Sequence, residues 1–265
     1  MRVHGVVLAS WLAGSVLLAF IVVPLAGLAA MEPLRNLVQV AAMPDVRLAI
    51  WLSLLAAFLT AGCAALLGVP LAYVLARNNF RGKEVVAAIV DLPLAVPHTV
   101  AGIALLIVFG RQGLIGGPAS EFLGLQFWGT LAGVVAAMLF VSVPYAVNAA
   151  RIGFEAVDPR LEKVARTLGI GPWGVLVHVT LPLAWRGIMT GLTLTYARAI
   201  SEFAAVAILA YYPMTAPVKI YELFLESGLD ESAAMALLLL IVSLALFILF
   251  RGIARRRAPI SGGGR

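Results

Sequence analysis

The hydropathy pattern constrains this chain more than any other feature: six long apolar runs are separated by short charged breaks. A helix needs about 20 mostly apolar residues to cross the hydrocarbon core of a bilayer. Windows 6–30, 48–75, 85–109, 127–149, 187–210 and 233–250 each reach that length. The chain is 62% hydrophobic and only 12% charged, with a mean hydropathy of +1.02. A soluble domain carries about 25% charged residues, so lipid must be the solvent here. The first window resembles a secretory signal in having Arg2 ahead of it and Leu28-Ala29-Ala30 at its end. Its apolar run, however, far exceeds the roughly 7–15 residues of a signal core, which reads as a retained span.

Orientation follows from the basic residues. The segments before window 1, between 2 and 3, between 4 and 5, and after 6 hold fourteen Lys and Arg, and the alternate segments hold only Arg35, Arg47, Arg111 and Lys219. The positive-inside rule makes the richer side cytoplasmic, with both termini there. Trp51, Trp128, Tyr211 and Tyr212 then fall near outer ends, and Tyr73 and Trp185 near inner ones. The net charge of +6 is spread over these breaks, not gathered on one face, so nucleic acid is not an expected partner. The single cysteine, Cys63, sits in an apolar run and reads as a small buried hydrophobe, and no metal-ligand spacing occurs. The whole chain, 1–265, reads as one transmembrane domain ending in a basic tail, 251–265.

Two hydrophilic segments are long enough to carry function. The outer one, 211–231, has a net charge of −3, and Tyr221-Glu222-Leu223-Phe224-Leu225-Glu226 reads as a short surface helix, either a connector or a docking surface. The inner one is more informative. Asp158-Pro159 supplies an N-cap oxygen followed by proline at the first helical position. Leu161, Val164, Ala165 and Leu168 then make one apolar stripe, while Arg160, Glu162, Lys163 and Arg166 cover the rest. Gly169 and Gly171 are expected to end the helix through positive φ. Pro172 starts a second short helix through Val179, and Pro182 precedes the fifth span. So short a helix needs a surface to lie on. Its small apolar face and mixed charge suit a protein groove better than a bilayer.

Lys163-Val164-Ala165, three residues, Gly169, nine residues and Val179-Thr180-Leu181-Pro182 resemble the loop motif of permease subunits of prokaryotic ABC importers. The leading acid of that motif is replaced by Lys163, with Glu162 beside it. Asp91-Leu92-Pro93, Pro97-His98-Thr99-Val100-Ala101-Gly102, Ala199-Ile200-Ser201-Glu202-Phe203 and Leu209-Ala210-Tyr211-Tyr212-Pro213 resemble the molybdate/tungstate permeases, to which sulfate permeases are close relatives. The resemblance implies an all-α type I ABC importer permease fold of about six transmembrane helices. It implies a homodimer around one path, two copies of a separate ATPase on the cytoplasmic side, and an external binding protein that delivers the oxyanion. The 158–182 loop becomes the coupling element, with Asp158, Leu161, Glu162, Lys163, Val164, Ala165, Arg166, Leu168, Gly169 and Pro182 as its residues. Gly82-Lys83 lacks the earlier glycine and following hydroxyl of a phosphate-binding loop, so this chain is expected to be no enzyme and to hold no cofactor. ATP and Mg would belong to the partner.

Charges inside a membrane are costly and usually functional or paired. Arg198 lies deep in the fifth window, and Glu202 is four residues on, on the same helical face, so the two can pair. The pair either locks packing or lines the path. In the second case Arg198 is what an oxyanion meets, with Ser201 beside it. Pro93, Pro97 and Gly102 predict a kinked or unwound third span, where Asp91, Pro97 and Thr99 are further path candidates. His98 reads as a packed or interfacial histidine. Gly187-x-x-x-Gly191 permits close helix approach but is a weak signal alone. An ion-gradient transporter or channel is the alternative, although neither duplicated halves nor paired broken helices are visible. No H-E-x-x-H or G-x-S-x-G motif supports an intramembrane enzyme.

Overall fold

The computed structural model describes residues 2–256, which are largely α-helical. In chain order the helices are α1 (Arg2–Met31), α2 (Leu34–Ala42), α3 (Pro44–Cys63), α4 (Val69–Arg77), α5 (Lys83–Ala95), α6 (His98–Phe109) and α7 (Gly116–Leu123). They continue as α8 (Leu131–Glu155), α9 (Pro159–Thr167), α10 (Pro172–Val175), α11 (Leu181–Ile200), α12 (Ala204–Leu209), α13 (Ala216–Ser227) and α14 (Leu229–Arg256). Five segments are long and apolar enough to cross a membrane: Val6–Met31, Pro44–Arg77, Leu131–Glu155, Pro172–Ile200 and Leu229–Leu249. The window 85–109 is instead two shorter helices, α5 and α6, bent by 113° at a break between them, a broken span or a re-entrant loop. The kink expected from Pro93 and Pro97 is therefore real. It falls at Val96-Pro97, where Val96 turns extended and Pro97 caps α6.

Two long spans each contain one wide π turn, Ala64–Gly68 and Leu176–Thr180, and each turn is followed two residues later by a proline, Pro70 and Pro182. A proline removes one ladder hydrogen bond, and its ring clashes with the carbonyl four residues back. Widening the preceding turn re-spaces that carbonyl, so the helix continues instead of breaking. This corrects the fifth span. The short helix starting at Pro172 is not separate and Pro182 does not precede the span; one helix runs from Pro172 to Ile200 and stops ten residues before the expected end at 210. A break at 201–203 and the short α12 follow.

The broken pair and this second interruption are two helix breaks that meet in the bundle. Beyond the breaks α6 packs closely on α12: a Cβ placed on Gly102 would lie 3.0 Å from the Ala205 backbone.

The centre of the bundle is the α8–α11 contact. A Cβ built on Gly187 would lie 2.5 Å from the Gly153 Cα, and one on Gly191 would lie 2.9 Å from the Ala146 carbonyl. The weak small-residue signal is thus the place where two backbones touch. Met138, Val141, Tyr196, Val206 and Leu209 pack on one side of it, and Leu75, Val147 and Phe154 on the other. Cys63 is half-buried, not buried as its apolar run suggested.

The bundle has two differently built ends. At one end lie α2, α7 and α13; Asn36 of α2 donates to the Asp230 carbonyl at 2.8 Å, and Lys219 of α13 reaches Asp45 of α3 at 2.8 Å. The helix expected at 221–226 is longer, Ala216–Ser227. At the other end lie α9, α10 and the end of α4. The apolar sixth window continues as helix to Arg256, which takes in the start of the expected 251–265 tail; 257–265 lie outside the described residues.

Candidate functional site

The α9 helix forms as its sequence directs. Asp158 Oδ1 accepts the Arg160 N–H at 2.9 Å, Pro159 opens the helix, and Gly169 closes it at φ +85°. The Ile170 N–H reaches back to the Ala165 carbonyl at 3.2 Å, which satisfies an orphan acceptor in the manner of a Schellman end. Gly171 plays no such part; its φ is −65°, which any residue can adopt. Leu161, Val164 and Leu168 are exposed, at 48%, 57% and 76%, whereas Ala165 faces inward and is buried. Lys163 and Arg166 are exposed as well, and Pro182 sits inside the long helix of the fifth span.

Glu162 departs from expectation. It does not cover the outer surface but is 5% exposed and turned toward the bundle. Its Oε1 accepts from Arg77 Nε at 2.9 Å and from Thr180 Oγ1 at 2.9 Å, while Arg166 stays 3.9 Å from Oε2. Arg77 Nη2 also donates to the Val157 carbonyl at 3.0 Å. One carboxylate therefore ties α9 to the end of α4 and to the π turn of the fifth span. An apolar stripe with no cover on its outer side rides on a helix that is clamped from its inner side.

The second constellation lies where the two helix breaks meet. Arg198 Nη2 donates to Glu202 Oε2 at 2.8 Å, so the expected pair exists, although α11 ends between the two residues. Glu202 is 1% exposed, and its Oε1 accepts the Ala205 N–H at 3.0 Å, which caps α12. His98 joins them. Its Nδ1 lies 3.0 Å from Glu202 Oε2, and Arg198 Nη2 lies 2.8 and 2.9 Å from its two ring nitrogens. A guanidinium only donates and a carboxylate only accepts, so the His98 ring stands between a donor and an acceptor. His98 is a member of the cluster and not merely a packed histidine. No local spacing announces a pairing across 100 residues; the only hint was proline on one side of it and a threonine on the other.

Ser201 Oγ is exposed, donates to the Arg198 carbonyl at 3.0 Å and accepts from Arg198 Nη1 at 3.3 Å. The carboxylate is thus buried behind the cluster, while Arg198, Ser201 and His98 keep open surface in front of it. Pro97 and Thr99 are exposed at the first turn of α6, beside His98. Asp91 is engaged elsewhere, accepting from Asn148 Nδ2 of α8 at 2.6 Å.

Among the described residues the chain is a helical, multi-pass membrane bundle with two helix breaks that meet and an amphipathic helix clamped at one end, and its class follows from its family. Residues 68–259 match the family described as "Binding-protein-dependent transport system inner membrane component", and the chain belongs to that family. It is 44% identical over 246 residues to the molybdate/tungstate transport system permease protein WtpB of Thermococcus kodakarensis, covering 92% of this chain and 94% of that one. It is 42% identical over 240 residues to the protein of the same name from Pyrococcus abyssi, covering 90% and 91%. Among solved structures, a bacterial ABC transporter involved in the import of the acidic polysaccharide alginate has the same fold, with a TM-score of 0.71 at 18% identity over 97% of this chain and 99% of that one.

Proposed function

We propose that this chain is the permease subunit of an ATP-driven importer of molybdate and tungstate, acting as a homodimer around one translocation path in a prokaryotic cell membrane. The observation that carries the reading is α9: three exposed apolar side chains in a row, on a helix clamped through Glu162 to two of the bundle's long helices. Such a stripe suits the cleft of a separate ATPase, one copy per permease, which would hold the ATP and Mg; the permease itself would hold no cofactor. Because the clamp reaches α4 and the fifth span directly, a shift of the ATPase pair would move those helices as a body. The distribution of basic residues supports a cytoplasmic position for α9 and both termini, with α2, α7 and α13 outside, where a binding protein would deliver its anion.

In this reading Arg198 is the group an oxyanion meets within the membrane. A bare carboxylate would repel a dianion, and here Glu202 is covered by Arg198, His98 and the Ala205 N–H. Thr99 adds a hydroxyl donor on the open side, where the Ser201 oxygen also lies, its proton given to the Arg198 carbonyl. The relatives' names support molybdate and tungstate over sulfate. Paired helix breaks also occur in ion-gradient transporters, but such a transporter gives the α9 stripe no partner.

Uptake of molybdate, tungstate and sulfate into vesicles holding the permease, its ATPase and binding protein tests the proposal. We expect ATP-dependent accumulation of molybdate and tungstate with sulfate far behind. Accumulation that follows an ion gradient and ignores ATP would contradict it.

A further inference from the structure

Beside the clamp lies a cleft of about 380 Å³ between the end of α4 and the inner side of α9. Arg77 and Asn78 line one wall, Lys163 and Arg166 the other, and Glu162 is at its base. The carboxylate is already compensated by Arg77 at 2.8 Å and by the Thr180 hydroxyl. Arg166 approaches it only to 3.9 Å, and among the described residues Lys163 has no ion-pair partner. Three cations therefore face one neutralised anion, and the cleft keeps two positive charges. Arg77 is the last residue of the apolar Pro44–Arg77 helix, so the cleft lies at the polar end of a candidate span.

We infer that this cleft is a binding site for a tetrahedral, negatively charged oxyanion group, either the phosphodiester of an anionic lipid headgroup or a free oxyanion of the same shape. A basic pocket between helix ends at the membrane surface has the chemistry to hold such a group. The donors are of complementary kinds: a planar guanidinium on Arg166, a mobile ammonium on Lys163, and the Asn78 amide. The bound group would bridge α4 and α9, whose mutual contact otherwise rests on Glu162, and would stiffen the element proposed to transmit the ATPase's movement. The site stands on the cleft's own geometry; only this consequence rests on the proposed role of α9.

The chain's three lysines make the test site-specific, since Lys83, Lys163 and Lys219 sit in different regions. The full-length permease in nanodiscs is labelled with an amine-reactive reagent, and the rate at each lysine is read by mass spectrometry. One arm titrates inorganic phosphate and molybdate in zwitterionic lipid; the other replaces part of that lipid with phosphatidylglycerol. Lys163 should label about tenfold more slowly once the occupant is at about ten times its Kd, with Lys83 unchanged. The arm that protects identifies the source, and Arg166→Gln should reduce the protection. Four outcomes overturn the inference: no protection in either arm, equal protection of Lys83, protection undiminished in Arg166→Gln, or a Lys163 that is unreactive from the start. Protection seen only when the ATPase is added assigns the cleft to a protein contact and also overturns it. Failure of the coupling reading is read separately, from co-purification of the ATPase with the permease.

Discussion

Glu162 and Glu202 are both buried carboxylates that collect an arginine and further donors, yet they are built in opposite ways. Glu162 draws its arginine from 85 residues away and joins three elements at the end of the bundle. Glu202 takes its arginine from the last turn of α11, four residues back, and caps the next helix with its other oxygen; only His98 comes from afar. The first is a clamp between bodies, with its charge spent on holding α9 in place. The second backs a guanidinium that keeps open surface. A buried ion pair by itself says little about role; what the partners leave exposed says more. At Glu162 it is an apolar stripe, at Glu202 a cation and hydroxyls.

Removing a carboxylate should separate the two most sharply. Glu202→Ala strands Arg198 inside the membrane and uncaps α12, so the loss should be about 3–5 kcal/mol, seen as a collapse of folded yield in detergent. Glu202→Gln keeps an acceptor and should be milder. Arg77→Ala should cost less, about 1–3 kcal/mol, because Thr180 still serves Glu162 near the surface. That variant should stay folded by thermal unfolding while ATP-driven uptake falls several-fold. If both replacements lower the unfolding temperature equally, the two carboxylates do the same work and the distinction fails.

Exposure sharpens the comparison further. Leu161→Asp and Leu168→Asp should leave the stability within about 0.5 kcal/mol of wild type, as surface changes do, yet abolish co-purification of the ATPase. Deleting 158–169 is a poorer test, because it also removes the Glu162 clamp.

The smallest effect is expected at the opposite end, where Lys219 bridges Asp45 and Glu222 at 2.8 and 2.7 Å. Burial pulls the Lys219 pKa down, but the hydrogen bonds to Asp45 and Glu222 outweigh it and the net shift is upward. A lysine whose folded pKa is raised contributes stability that is fully present below its ordinary value near 10.4 and is lost only as pH rises through the raised one. The stability gap between wild type and Lys219→Met, read by thermal unfolding, should therefore be constant from about pH 6 to 9, under about 1 kcal/mol in size, and close only in strong alkali.

What was legible in the sequence was local. Hydropathy located the spans, the Asp158-Pro159 start and Gly169 stop defined α9, and the four-residue spacing of Arg198 and Glu202 foretold their pair. What was hidden depends on contacts between distant segments. The inward turn of Glu162 depends on Arg77 and Thr180, and the place of His98 depends on α6 closing over α12 at Gly102. Neither alters any periodicity. The π turns lie between: Pro70 and Pro182 mark them, but hydropathy reads a widened turn and a regular one alike. The stop at Ile200 was hidden because α12 is as apolar as the helix it interrupts.

The central claim is that Arg198 meets the oxyanion while energy enters elsewhere, through α9. It is tested most directly by measuring ATP hydrolysis and molybdate uptake side by side in the same vesicles, for wild type and Arg198→Ala. The account predicts that the variant assembles and hydrolyses ATP while its uptake falls to background. Uptake equal to wild type would contradict it.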